Sequence, residues 1–128
     1  MGNAAIDLII RIKNGYLAKR ETITLSYTRF GEEVVSKLMK LGYIKDFQIT
    51  GDKIKAIEVT LLYKDGEPAI SDVSIYSKPG RRYYTSYRHL KPVVSGIGVS
   101  IISTSKGILT NKEARKIKTG GELLFNIW

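Results

Sequence analysis

Cysteine is absent from this 128-residue chain, and His89 is its only histidine. The chain can therefore form no disulfide and no thiolate nucleophile, and it cannot assemble a zinc site from Cys and His. The longest apolar stretch, residues 93–102, is interrupted by Ser95, Gly96 and Gly98. It is far shorter than the roughly 20 residues that span a bilayer. We expect no membrane helix, no signal peptide and a location in the reducing cytoplasm.

Catalytic motifs are also missing. His89 lies in the basic run Tyr87–Lys91, a setting more typical of an exposed polar residue or a phosphate neighbour than of a general base. Gly96 and Gly98 begin like a dinucleotide-binding fingerprint, but Ile101 stands where the third glycine belongs. We therefore expect no enzyme, no metal site and no cofactor.

Positive charge is abundant and confined to one part of the chain. The sequence has 21 Lys plus Arg and 12 Asp plus Glu, a formal net charge of +9 and a pI near 9.8. Residues 78–118 hold ten of the basic residues and a single acid, Glu113, whereas the rest of the chain is balanced. A localised basic segment predicts a face that binds an anionic partner.

The hydrophobic periodicity of the first half predicts the order α-β-α-β-β. The predicted elements are a helix over 3–16 with Ile6, Ile9, Ile10 and Leu17 on its apolar side, a strand over 23–27, a helix from the N-cap Thr28 to Leu41, and strands over 43–49 and 54–63. Gly15 is expected to end the first helix. A linker over 65–72 divides an N-terminal unit, 1–66, from a C-terminal unit, 67–128.

The second half reads as rich in strands. Strands are predicted over 73–76, 82–86, 98–102 and 122–127, with one short helix that starts at a capping box on Thr110 and is ended by Gly120 and Gly121. Together the two halves predict an α+β fold.

Two segments of the second half suit nucleic acid. The first, Lys78–Arg88, combines four cations with three tyrosines, which can neutralise phosphates and stack on bases. Strand alternation sends Tyr83 and Tyr84 to opposite faces, which leaves open which ring is core and which meets a partner. The second, Ser103–Gly107, places three hydroxyls before a lysine and a glycine, between a strand and a helix. Alone, it is more typical of an ordinary loop than of a binding site.

The longer string around this loop, Gly96–Thr110, strongly resembles the signature of bacterial small-subunit ribosomal protein eight. The resemblance extends over essentially the whole chain. It includes residues 7, 11–15, 41–44, 77–80, 113–115 and 120–122.

Membership of that family implies a structural constituent of the small (30S) ribosomal subunit. The resemblance implies a primary rRNA-binding protein that binds the 16S rRNA central domain, helps to assemble the platform and resides in the cytoplasmic ribosome. Neighbouring small-subunit proteins, the fifth and twelfth, and its own mRNA, whose translation it would repress, are the other implied partners. It also implies that the N-terminal α-β-α-β-β unit packs on the C-terminal β-rich unit. The alternative is a generic double-stranded nucleic-acid-binding protein.

The expected RNA-binding residues follow from the resemblance and the basic segment. They are Ser103, Thr104, Ser105, Lys106 and Gly107 in the hydroxyl loop, Tyr84, Arg82 and Glu122 on neighbouring strands, Lys112 and Lys116 on the short helix, and Thr28 and Arg29 in the N-terminal unit.

The chain also departs from the family pattern at several places. Asn3-Ala4 replaces Asp-Pro, Gly31 replaces a lysine, Thr85 and Ser86 replace cations, and Phe125 replaces a cysteine. We expect the last change to alter core packing only.

Overall fold

A computed structural model describes the backbone of residues 2–128 and the side chains from Ala5 onward. The side chains of Asn3 and Ala4 lie outside the described residues. The described chain has helices α1 (Gly2–Leu17), α2 (Arg29–Lys40) and α3 (Asn111–Lys116). Its strands are β1 (Thr22–Ser26), β2 (Asp46–Thr50), β3 (Ala56–Thr60), β4 (Tyr63–Lys64), β5 (Glu67–Pro68), β6 (Val73–Ile75), β7 (Tyr84–Thr85), β8 (Val99–Thr104), β9 (Gly107–Thr110) and β10 (Gly121–Ile127). The predicted α+β class is confirmed.

Backbone contacts group residues 3–70 in one compact unit and residues 71–128 in a second. The boundary expected at residues 66 and 67 would fall inside the hairpin formed by β4 and β5.

The first unit has the predicted α-β-α-β-β order, followed by the β4–β5 hairpin. Its antiparallel sheet has the order β1-β3-β2, so β3 pairs on both edges. The alternation of β3 buries Ile57 and Val59 completely. Thr28 is the N-cap of α2, as predicted: its hydroxyl accepts a hydrogen bond from the Gly31 amide at 2.8 Å.

Helix α1 differs from its prediction. It continues through Gly15 to Leu17, and Gly15 is buried so closely that an added Cβ would lie 2.7 Å from a methyl carbon of Ile23. Tertiary packing therefore keeps a residue with poor helix propensity inside the helix. Its buried side, from Ala5 onward, consists of Ala5, Leu8, Ile9, Ile12 and Tyr16. Ile10 and Leu17, predicted for the apolar side, are exposed.

Two predicted strands of this unit are also shorter than expected. The strand predicted over 43–49 begins only at Asp46, and the one predicted over 54–63 is split into β3 and β4.

The second unit is organised around β10. The sheet has the order β6-β10-β8-β9, and β7 also pairs with β10 beside β6. Helix α3 has the predicted capping box, with Thr110 bonded to the Glu113 amide and Glu113 bonded to the Thr110 amide. Its Ala114 belongs to a buried cluster with Leu90, Ile102 and Leu123. This unit also contains two short 3-10 helices, Tyr87–His89 and Val94–Gly96.

Tyr16 ties three segments of the first unit together. Its hydroxyl donates to the Tyr43 carbonyl at 2.6 Å and accepts from the Leu62 amide at 3.1 Å. Its ring contacts Tyr63 edge to face, with ring centroids 5.4 Å apart. Burial raises the pKa of Tyr16 above its ordinary value of 10.0, against a smaller lowering by the Leu62 hydrogen bond.

We predict that Tyr16→Phe lowers the free energy of unfolding by about 1–3 kcal/mol, because a partly buried amide and a partly buried carbonyl lose their partner. Since the folded pKa of Tyr16 is raised, its contribution is fully present below pH 10 and is lost as the pH rises through the folded pKa. Urea unfolding at several pH values measures both effects. Tyr84→Phe, at a ring that is 72% exposed, is the control; equal losses in the two variants would contradict the assignment.

Candidate nucleic-acid interface

Three of the expected site residues form one row across the second sheet. Glu122 of β10 pairs directly with Tyr84 of β7 on one side and with Ser103 of β8 on the other. Directly paired residues in antiparallel strands project from the same face. An aromatic ring, a carboxylate and a hydroxyl are therefore presented side by side, although they lie far apart in the sequence.

Glu122 is the buried centre of this row. Its side chain is 9% exposed, and its Oε2 atom accepts a hydrogen bond from Nη1 of Arg82 at 3.4 Å. A buried carboxylate needs such a partner, because an unpaired charge is costly to remove from water. The pair fixes the Arg82 side chain, which is 34% exposed, in a position where its guanidinium can meet a phosphate.

Tyr83 and Tyr84 project to opposite faces, as alternation predicts. Tyr84 is 72% exposed on the face of Glu122. Tyr83 packs edge to face on Tyr76 on the other side, with ring centroids 5.3 Å apart, and is itself 47% exposed. Tyr84 is thus the accessible ring of the row, and neither tyrosine is a core residue.

The hydroxyl segment is a tight hairpin rather than an open loop between a strand and a helix. Ser103 and Thr104 end β8, Gly107 begins β9, and only Ser105 and Lys106 form the turn. The Thr104 hydroxyl donates to the Gly107 carbonyl at 2.8 Å and accepts from the Lys106 amide at 3.1 Å. Thr104 is thereby committed to holding the turn, while Ser105 and Lys106 are exposed at its tip.

Gly107 and Gly121 each occupy a position that a larger residue would strain. Gly107 has φ +110°, which disfavours any residue with a Cβ. A Cβ on Gly121 would overlap the Ser103 carbonyl. Gly120 and Gly121 were predicted to end the short helix, but α3 already ends at Lys116. Their role is to let β10 approach the neighbouring backbone closely. The glycine pair can be recognised in the sequence, but the backbone contacts that require it cannot.

Lys112 and Lys116 belong to a different surface from the row. Both are exposed on α3, whose Ala114 packs with Ile102 and Leu123. Ile102 and Leu123 pair with each other directly next to the Ser103–Glu122 pair. Their side chains therefore lie on the opposite face of the sheet. Lys112 Nζ donates to the Gly96 carbonyl at 3.4 Å.

Thr28 and Arg29 lie in the first unit, residues 3–70. The Thr28 hydroxyl is used as the cap of α2. The Arg29 side chain is 91% exposed, with its Nε 3.9 Å from a carboxylate oxygen of Glu33.

No cluster of three or more His, Asp or Glu side chains suited to a metal ion occurs among the described residues. Within the same part of the chain, no helix is long and apolar enough to cross a membrane.

Comparison with known proteins identifies the family. The family model described as ribosomal protein S8 matches residues 3–128. The chain belongs to the ribosomal protein S8 family. The chain is 46% identical over 124 residues to "Small ribosomal subunit protein uS8" of Chlorobaculum tepidum, with 95% of the chain and 94% of the relative covered. It is 42% identical over 123 residues to the protein of the same name from Dictyoglomus turgidum, with the same coverage of both.

Membership of the ribosomal protein S8 family confirms the expectation from the sequence resemblance. It makes the chain a ribosomal protein, a structural component of the ribosome rather than an enzyme. It also gives this S8 family member an evident class of anionic partner, the RNA of the ribosome.

The Thr104 hydroxyl gives a direct test of the hairpin geometry. We predict that Thr104→Val, which keeps the shape but removes the hydroxyl, speeds hydrogen exchange of the Lys106 amide. We expect it to cost about 0.5–1.5 kcal/mol of stability. Thr104→Ser should preserve the slow exchange; equally fast exchange in the wild type and the valine variant would contradict the role given to the hydroxyl.

Proposed function

We propose that this chain is a constituent of the small ribosomal subunit and binds the central domain of 16S rRNA through its second unit. The observation that carries the proposal is the row Tyr84–Glu122–Ser103 beside the rigid tip Ser105–Lys106. The names of the relatives, which describe small-subunit proteins, support the placement in that subunit.

The chemistry of the row suits a distorted site in RNA. The deep, narrow major groove of A-form RNA is closed to side chains, so sequence-specific readers contact unpaired bases and the shallow minor groove. Tyr84 offers a ring for stacking, and Ser105 offers a hydroxyl that can donate and accept. The Thr104 hydrogen bonds across the turn and the pairing of β10 hold these groups in register, which reduces the entropy lost on binding.

Charge supports the same unit as the principal RNA-binding unit. Residues 71–128 carry ten basic and three acidic residues, and one of those acids, Glu122, is paired with Arg82. Phosphate contacts from such a unit supply affinity, while the row and the hairpin tip supply choice among RNA sites. Thr28 and Arg29 are proposed as additional backbone contacts from the first unit.

Three finer roles belong to the same proposal. Bound to the central domain, the protein would help to assemble the platform of the 30S subunit. It would lie beside the fifth and twelfth small-subunit proteins. It would repress translation of its own mRNA if that RNA presents the same irregular site to the row.

A generic double-stranded nucleic-acid binder is the alternative that Lys112 and Lys116 favour, because exposed lysines on a helix attract any phosphate backbone. Competition separates the two functions. A complex with a central-domain rRNA fragment should survive a large excess of an unrelated RNA hairpin. Loss of the complex to that competitor would support the generic binder.

We predict that Ser105→Ala weakens binding to the central-domain fragment by about 5- to 150-fold, or roughly 1–3 kcal/mol, since a hydrogen-bonding group at the RNA loses its partner. A filter-binding titration measures the change. Ser71→Ala, at an exposed serine outside the proposed site, is the matched control. An unchanged Kd for Ser105→Ala would exclude the hairpin tip from the interface.

The α3 lysines should behave differently. We predict that Lys112→Ala or Lys116→Ala makes the negative slope of log affinity against log salt shallower by about one unit each. The loss of affinity should be smaller than for Ser105→Ala. Titrations over a range of salt concentrations give the slope. Lys64→Ala, in the first unit, is the control; a slope that stays the same in both α3 variants would remove these lysines from the RNA contacts.

A further inference from the structure

A second concave site lies on the other face of the sheet from the Tyr84–Glu122–Ser103 row. Its cavity has a volume of about 310 Å³, within the range of roughly 300–1,000 Å³ typical of ligand pockets. All the residues that line it belong to the second unit. Those that carry the inference are Tyr76, Tyr83, His89, Lys91, Ser100 and Asn126.

A bulge in β10 brings Asn126 to this face. The pairing of β10 with β8 shifts between Leu123 and Phe125, so that Asn126 pairs with Ser100. Ser100 alternates with Ser103 along β8 and lies on the opposite face. Without the extra residue, Asn126 would project to the face of Glu122. Bulges commonly redirect side chains in this way at functional sites.

Two tyrosine rings form an aromatic wall of the cavity. Tyr76 and Tyr83 meet edge to face at an interplanar angle of 69°, and they remain 36% and 47% exposed. Partly exposed rings fixed by each other offer a planar ligand a stacking surface at little cost in entropy.

The polar groups beside these rings form a chain of hydrogen bonds that leaves donors available. Ser100 Oγ donates to Oδ1 of Asn126 at 2.6 Å, and Nδ2 of Asn126 donates to the Tyr76 hydroxyl at 3.4 Å. One lone pair of the Asn126 oxygen and one of the Tyr76 hydroxyl are thereby used. One Asn126 N–H and the Tyr76 O–H have no acceptor among the described residues.

The remaining polar groups of the cavity favour an anion. His89 Nδ1 is bonded to Ser86 Oγ at 3.0 Å, so Nε2 is its available ring nitrogen. The exposed Lys91 adds an ammonium group, and no carboxylate is among the residues that line the cavity. A ligand that complements these groups is planar, rich in hydrogen-bond acceptors and negatively charged.

We infer that this cavity binds a single nucleotide turned out of the stack of an RNA. Its base lies against Tyr76 and Tyr83 with an acceptor edge toward Asn126, and its phosphate lies near Lys91 and His89. The inference rests on the proposed function, because rRNA supplies the nucleotide. It adds a second contact on the face of the sheet opposite the row.

The first test uses the full chain labelled with nitrogen-15 and titrated separately with AMP, UMP and inorganic phosphate. We expect saturable shifts of the amides at Tyr76, Tyr83, His89 and Asn126 with a nucleotide, and shifts only near His89 and Lys91 with phosphate. Tyr83→Leu should weaken the nucleotide response about tenfold, as expected from the loss of one stacking contact. Tyr27→Leu, in the first unit, should leave it unchanged.

Three results would overturn the inference. They are the absence of saturable shifts at the cavity, the same shifts with phosphate alone, and tighter binding of a glutamate-rich peptide than of either nucleotide. Tyr76→Phe and Lys91→Ala, which are mild changes at partly exposed positions, should each weaken nucleotide binding. An unchanged response in both variants would equally contradict it.

A second measurement separates this inference from the proposed function. Affinity for the central-domain fragment should fall about tenfold in Tyr83→Leu, and Lys64→Ala should not change it. If Ser105→Ala weakens the complex but the cavity variants do not, the cavity inference fails and the proposed function stands. If the wild type does not select the fragment over an unrelated hairpin, the proposed function fails, and the nucleotide titration still decides the cavity.

Discussion

Pairing of β10 on both of its edges is the constraint on which the candidate site depends. The strand is bonded to β8 on one side and to β6 and β7 on the other. The absence of a Cβ at Gly121 allows the close approach to the Ser103 carbonyl. Glu122, the next residue, can then lie between Tyr84 and Ser103. A bulge farther along the strand, between Leu123 and Phe125, switches the face to which each following side chain projects. It places Asn126 on the face of the sheet opposite Glu122.

The acidic residue at the centre of a basic unit has a physical explanation. Glu122 is almost completely buried, and the side chain of its partner Arg82 is partly exposed to solvent. Because Arg82 neutralises the Glu122 carboxylate, this acid repels an approaching phosphate less than an unpaired acid would. It also reduces the side-chain entropy that Arg82 loses on binding. The Thr104 hydroxyl likewise reduces the entropy lost on binding, because its hydrogen bonds stiffen the turn that presents Ser105.

Features of the fold that depend on residues close in sequence could be predicted from the sequence. The N-caps at Thr28 and Thr110, the α-β-α-β-β order and the closing strand β10 were all readable, because capping and alternation involve residues close in sequence. Gly15 misled the prediction of the first helix because its environment is set by Ile23, across the unit. The hairpin was likewise missed: Gly107–Thr110 contains only four residues, too short for a strand pattern to be recognised.

The register and the bulge of β10 could not be predicted, because both depend on residues far apart in the sequence. Neither the row around Glu122 nor the position of Asn126 follows from any window of the sequence, since a shift of one residue moves a side chain to the other face. The resemblance to the ribosomal protein family supplied the residues of the row, and the pairing of β10 explains why they lie side by side.

Chemical footprinting of the full chain on complete 16S rRNA tests the central claim most directly. The account predicts protection of one helical region of the central domain, centred on an irregular internal loop. Protection outside the central domain, or weak protection spread evenly over many helices, would contradict it.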